Sequence, residues 1–565
     1  MRNGMRNGKW IVFAALLLFA GAFRIAVAHW LANDNPDDGR VYSLIARNVV
    51  EQHSYSQAEE FPYEPTLIRA PGYPLFLAGI YSVFGHTNNG AVRFVQALID
   101  TGTCALVAFL GWFWQPNKTL KRMTAIVALA LAAINPFTTI YCATILTEVP
   151  TVFVVVATCI AATIAFRGTL TRESTEKIAR RPLLNRALLW WTTAGLLAGV
   201  AVLIRPDSGL FAIAICLTIV ITGFARFKAR WRAHLAACVI FGASLTLTLV
   251  PWTIRNWRVF HLFQPLAPVH AEMPEEFVPL GYARWLKTWL DDQRYVEDFW
   301  WPLDVAPMDV DDLPDSAFDS ADERNRVAAL LDRYNHPTNA QATSQAPVLQ
   351  SQPSPSPSPT RPNDQTRANS NPNANAGNTD EDENDNSADE NDNSDEDNSE
   401  KPETEEHTPV KMTAEIDAAF GQIAAERIAH HPLRYYVWTP AKRASSLWFD
   451  THSDFYPFAG ELFPLGDLDY DAHQQIWLPL FALLVSIYTL VGVSGSVLLW
   501  QSGGVRARTW TLLFVVIVIT RLAFFSSFVS PEPRYVVVFF PFLAALAGIA
   551  VTNALGQLRR PKPSI

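Results

Sequence analysis

Apolar residues come in blocks along this chain, and the longest blocks recur at lengths that cross a bilayer. A hydrocarbon core of about 30 Å takes roughly 20 apolar residues in helical form. Runs of that kind fall at 10–32, 90–114, 122–142, 148–166, 188–204, 208–225, 234–252, 474–499, 509–528 and 535–554. The stretch PGYPLFLAGIYSVF at 71–84 is apolar too, but it is short and carries two prolines. It predicts an interfacial or re-entrant helix beside the first loop. The first block has a second reading as a signal peptide, with a basic start, the run Trp10–Phe23 and the triplet Ala26-Val27-Ala28. Arg24 interrupts that pattern, and residues after position 30 lie outside in both readings.

Basic residues punctuate every second connection. Arg2, Arg6 and Lys9 open the chain; Lys118, Lys121 and Arg122 follow, then Arg167 to Arg186, Arg226 to Arg232, Arg506 and Arg508, and finally Arg559, Arg560 and Lys562. Because Lys and Arg collect in cytoplasmic loops, both termini are expected inside, and the alternation agrees with about ten spans. The fold class predicted is an all-α polytopic membrane protein with a small mixed extracytoplasmic region and a disordered insert. Its expected divisions are a transmembrane core over 1–260 with a first outer loop at 33–89, an outer loop at 261–336, the insert at 337–410, an outer helical region at 411–473, and C-terminal spans over 474–565.

Composition changes this picture in one respect. The formal charge of −9 is dominated by 15 acidic residues between Asp380 and Glu406, and the rest of the chain has 44 basic against 39 acidic residues. That acidic run follows SQPSPSPSPTRP and is too poor in apolar side chains to offset its ordering entropy, so a solvated spacer is expected. It lacks the glycine and fixed spacing of a calcium loop. Flanking stretches, Tyr282–Trp301 with its Trp and Tyr and Ala414–Trp438 with its helical spacing, predict a small folded cap. The five cysteines sit in or beside apolar blocks without a CxxC, which argues against disulfides and zinc. No GxGxxG or phosphate loop is present for a nucleotide, and no nucleic-acid partner is expected.

Candidate chemistry gathers at the expected outer ends of the spans. Asp37 and Asp38 follow the first span, Arg69 precedes the short apolar helix, and Glu148 begins the fourth span. Arg205 and Asp207 share a tight turn, Arg255 and Arg258 follow the seventh span, and Glu532 and Arg534 precede the last. Arg93, Gln96 and Asp100 form a stripe on the second span. Taken singly, each has a plain alternative as an interfacial anchor or snorkelling side chain. Together they supply what an anionic lipid phosphate and a proton acceptor would need.

At these residues the chain resembles the GT-C membrane glycosyltransferases, the group that includes protein O-mannosyltransferases and the aminoarabinose transferase acting on lipid A (glycosyltransferase family 39-like). PDDGRVYSLIARNVVEQHSYS is similar to that group's first outer loop, and RAPGYPLFLAGIYSVFG followed by AVRFVQALID to its basic-x-Pro segment and second span. ILTEVP resembles its second acidic motif, while LIRPDSG, VPWTIRNWRVF and PEPRYVVVFFPFLAALAG resemble later parts. The resemblance implies an inverting transfer from a polyprenyl-phosphate sugar to a lipid, glycan or protein acceptor, on the extracytoplasmic face of a bacterial cytoplasmic (inner) membrane and among membrane lipids. It implies Asp38 as general base, four residues before Tyr42, with Asp37 as the neighbouring candidate. Glu148 would orient acceptor or sugar, or share a divalent ion with Asp38; no metal ligand set is assigned. Arg69, Arg255, Arg534 and Arg205 would hold the donor phosphate, and Tyr42, Tyr73, Arg93, Gln96 and Tyr535 would line the substrate. A transporter or flippase of a lipid-linked or anionic substrate is the alternative, and a non-catalytic lipid-binding scaffold a third.

Overall fold

The computed structural model describes residues 2–32, 37–85, 87–170, 180–225, 227–268, 272–274, 276–291, 294–337, 410–449, 470–530 and 532–558. Among them the regular elements are all helical, with one isolated bridge between Ser56 and Pro65. In chain order the helices are α1 (Arg2–Trp30), α2 (Asp37–Glu51), α3 (Gly72–Phe84), α4 (Asn89–Trp114), α5 (Lys121–Ala133), α6 (Pro136–Thr139), α7 (Glu148–Leu170), α8 (Arg180–Ile204), α9 (Gly209–Phe224) and α10 (Phe227–Phe260). Four shorter ones follow, α11 (Leu280–Leu286), α12 (Arg294–Phe299), α13 (Ala321–Asn335) and α14 (Ala414–His430), and then α15 (Thr439–Phe449), α16 (Tyr470–Gln501), α17 (Val505–Phe525) and α18 (Phe540–Leu558).

Nine described helices are long and apolar enough to cross a membrane, and a tenth span results if one bent pair is counted as a unit. The chain is therefore a polytopic helical protein, as its hydropathy predicts. The bent pair corrects one expectation. Residues 122–142 were predicted as a single span, whereas the helix breaks after Ala133 and turns by 54° into Pro136–Cys142. Pro136 has no N–H to give to Ala132, and the N–H of Phe137 is taken by the Asn135 side chain at 2.9 Å. Arg24 answers the loss. Its guanidinium donates to the carbonyls of Ala132 at 3.0 Å and Ala133 at 3.1 Å, and its Nε pairs with Asp100 Oδ2 at 2.6 Å. Both side chains are buried, so a charge from α1 and one from α4 neutralise each other while repairing the break.

Lipid provides no hydrophobic drive between helices, so close packing relies on small residues. On α8, Gly195 and Gly199 let α10 approach until a Cβ at Gly195 would stand 2.3 Å from the Phe241 carbonyl. α18 occupies the middle of the bundle, buried from Phe540 to Ile549 against α5 and α16.

The two flanking stretches share one core, and among their described residues the regular elements are helices, joined by turns and irregular chain, without the strands a mixed region would have. Tyr282, Trp285, Trp289, Phe299 and Phe420 form its aromatic core. α11 lies so close to α14 that Gly281 faces the Asp417 carbonyl, and Tyr282 N–H donates to Asp417 Oδ1 at 2.7 Å. Ala414–Trp438, predicted as one helical stretch, instead ends α14 at His430 and continues through a wide turn at Arg434–Trp438 into α15. Tyr436 and Trp438 are exposed on that turn, a placement aromatic residues favour at a membrane surface. Buried Arg443 ties cap to bundle by donating to the carbonyls of Leu290, Lys287 and Ser526. The acidic insert, apart from residues 337 and 410 at its edges, lies outside the described residues.

Candidate functional site

Six separate stretches of chain deliver charge to one end of the bundle, and several are placed for a local reason. Asp38 lies in the first turn of α2, where unpaired helical N–H groups favour a carboxylate. α2 is held to α3 by Tyr42 against Tyr73, their ring centres 5.1 Å apart. The loop from α2 to α3 folds back because Asn48 donates to the Ser56 and Ala58 carbonyls, and the Tyr55 hydroxyl donates to the carbonyl of Arg69 at 3.0 Å. Gly72 then allows α3 to start against the last turn of α8: a Cβ there would sit 2.6 Å from Ile204 N. Arg69 is thereby brought to the same corner as Arg205, the residue that follows Ile204.

Asp38 is gripped from two sides. Arg69 Nη2 donates to Oδ1 at 2.8 Å, and both terminal nitrogens of Arg534 donate to Oδ2 at 3.2 Å. Arg534 stands on the tight helical turn Pro533–Phe539 that leads into α18, with its own N–H capped by Glu532. Beside this, Arg205 Nη1 donates to Glu148 Oε1, and Arg205 Nε pairs with Asp207 Oδ1 at 3.1 Å. Arg521 Nη2 closes the chain of charges on Asp207 Oδ2 at 2.8 Å. Tyr535 lies under both guanidinium groups, 5.3 Å from Arg205 and 5.5 Å from Arg534, and stacks on Phe525.

The electrostatics follow from that arrangement. Burial pushes the Asp38 carboxyl upward, but the Arg534 and Arg69 guanidinium groups outweigh it and hold the group below the usual carboxylate range. The Tyr42 phenol is driven well up, by burial first and by the Asp38 charge second, so it remains a neutral donor. Asp38 is 23% exposed while Glu148 is 2% exposed, so of the two acids Asp38 is the one an incoming group can reach. Four guanidinium groups meet four carboxylates here, Glu532 included, so an added anion would enter by displacing an acid, and Asp38 is the most exposed of them. Among the described residues no group of three His, Cys, Asp or Glu side chains could hold a metal ion. The side chains pair with one another, and small cavities are found elsewhere, in the cap near Arg427 and beside Asp100.

Of the residues singled out from sequence, Asp38, Glu148, Arg69, Arg534, Arg205, Tyr42 and Tyr535 are brought together. The Asp37 side chain lies outside the described residues. Tyr73, Gln96 and Arg93 are placed one layer back: the Tyr73 hydroxyl donates to Gln96 Oε1 at 2.9 Å, Gln96 Nε2 donates to the Thr144 carbonyl at 2.7 Å, and Arg93 Nε donates to the Ala143 carbonyl at 3.0 Å. They brace the segment that presents Glu148. Arg255 is placed elsewhere, donating to the Thr66 carbonyl at 2.8 Å and packed among Tyr55, Trp252 and Phe260. Its position supports the first loop from behind. Sequence reasoning gave Asp207 no role and passed over Arg521, although an arginine inside the apolar helix α17 was itself a reason to look.

No family model, curated protein or solved structure matches this chain.

Proposed function

We propose that this protein is a GT-C-like membrane glycosyltransferase that moves a sugar from a polyprenyl-phosphate donor to an acceptor, with inversion at the anomeric carbon. The observation that carries the reading is Asp38 held between Arg69 and Arg534, with Glu148 and Arg205 alongside. Guanidinium pairs that accept a carboxylate accept a phosphate by the same two-pronged geometry. A donor phosphate would take over Arg69 and Arg534 and release Asp38. The acceptor hydroxyl then attacks the sugar C1 as its proton passes to Asp38. A bond from the acceptor oxygen to C1 forms, the bond from C1 to the phosphate oxygen breaks, and its electron pair leaves with the lipid phosphate among the arginines. Glu148, sealed from solvent, would hold Arg205 in place rather than take the proton. The order of loops and spans supports the same reading, as does the expected outward side of the site, where a lipid carrier is a better donor than a nucleotide sugar.

The test is reconstitution of the full chain in vesicles with a polyprenyl-phosphate sugar and a panel of lipid, glycan and peptide acceptors. Transfer with inverted anomeric configuration is expected. Movement of the lipid across the bilayer without any glycosylated product would replace this reading with that of a flippase.

A further inference from the structure

We propose that Arg521 is the positioning residue of the anion site, setting the directions of both Arg205 and Arg534 from a helix that contributes no other charged group to it. The inference rests on the reading above for its ligand, but its geometry does not. Arg521 is 2% exposed on α17, and burying a guanidinium at that depth is costly unless it is paired; both of its terminal nitrogens are bonded, while Nε has no hydrogen-bond partner among the described residues. Its Nη2 donates to Asp207 Oδ2 at 2.8 Å and to the Tyr535 carbonyl at 3.0 Å, and its Nη1 to the Asp207 carbonyl at 3.3 Å. The rings of Phe211 and Phe525 hold its faces, each 4.9 Å away.

These contacts join two stretches that otherwise meet through Arg205 over the Tyr535 ring. Asp207 lies in the turn that carries Arg205, and Tyr535 directly follows Arg534. One guanidinium therefore pins the turn behind one phosphate-binding arginine to the backbone behind the other. Charges alternate along the line Arg521, Asp207, Arg205, Glu148, so each group fixes the fork of the next. Arg205 has its Nε on Asp207 and its Nη1 on Glu148, so the two acids together fix the plane of its guanidinium group. Loss of Asp207 would leave two guanidinium groups facing each other. Loss of Arg521 would free the turn and the Tyr535 backbone together.

The experiment uses the full chain in nanodiscs, with polyprenyl monophosphate as the probe. Arg521→Gln is expected to weaken its binding tenfold or more and to raise the phenylglyoxal reactivity of Arg205 and Arg534, read by peptide mass spectrometry. Arg521→Lys keeps the charge, guards against a folding failure, and should recover most of both properties. Because the two groups act as one unit, Asp207→Asn combined with Arg521→Gln should be little worse than Asp207→Asn alone, with melting temperatures within a few degrees. A brace of no consequence for the site would shift melting temperature and leave probe affinity alone. Wild-type affinity in Arg521→Gln, or independent multiplying effects of the two changes, overturns the inference. If the wild-type chain does not bind polyprenyl monophosphate, the lipid-donor reading falls; the reactivity of Arg205 and Arg534 then decides, and unchanged reactivity rejects the positioning role.

Discussion

Replacing Asp38 by Asn separates the two things the clasped carboxylate does. As the general base of the proposed transfer it would contribute about 10²–10⁴ in rate, or about 3–5 kcal/mol of barrier, and the amide cannot take the acceptor proton. As a partner of Arg69 and Arg534 it competes with the donor phosphate for the same guanidinium groups, through contacts of 2.8 and 3.2 Å. Those pairs are partly exposed, so displacing the carboxylate costs about 1 kcal/mol, roughly fivefold in affinity. Asp38→Asn should therefore lower kcat by two to four orders of magnitude while donor affinity stays the same or tightens by about fivefold. Single-turnover transfer from a radiolabelled polyprenyl-phosphate sugar, with donor binding measured in parallel, reads both quantities. Full turnover in the variant would refute the base role, and donor binding weaker than in the wild type would refute displacement of this carboxylate by the phosphate.

Further outcomes follow from the same geometry. Arg69→Ala should weaken donor binding about tenfold, whereas Arg255→Ala, with its side chain packed among aromatic rings away from Asp38, should leave donor affinity within about threefold; equal losses in the two would place Arg255 back at the phosphate. The lowered titration of Asp38 means that its ionised form is favoured in the folded chain, so that stability is present above the ordinary carboxylate value near 4 and is lost as pH falls through the lower folded value. The difference in melting temperature between wild type and Asp38→Asn should hold steady from about pH 8 to 5 and shrink below about pH 4. Arg24→Gln should cost about 3–5 kcal/mol by stranding Asp100 and two carbonyls, and Arg24→Met with Asp100→Leu should recover part of it; urea or thermal denaturation in detergent reads both. Gly72→Ala meets the backbone of Leu203 and Ile204 and should lower donor affinity as well as stability by displacing Arg69.

Much of the architecture was legible without coordinates. A span is a local property, a run of about 20 apolar residues that must satisfy its own backbone in lipid, so nine of the predicted spans reappear with only their ends adjusted. The short helix at 72–84 was legible for the same reason, being apolar but too short. The third predicted span is apolar along its length as expected, but the bend within it was not foreseen: it follows Ala133, where Arg24, over a hundred residues earlier, caps the exposed carbonyls.

The candidate site divides along the same line. Its residue types and their place at one end of the bundle could be read from the charges at span ends, but their partners could not. Asp38 is joined to Arg534 across 496 positions and Arg521 to Asp207 across 314, and nothing in the spacing ranks Arg534 above Arg255 or points to Arg521 at all. Hydropathy acts over one helix length, so the sequence by itself determined which segments cross the membrane. A hydrogen bond needs two groups within about 3 Å, and only the packing of α3 on α8 and of α17 on α9 decided which carboxylate meets which guanidinium.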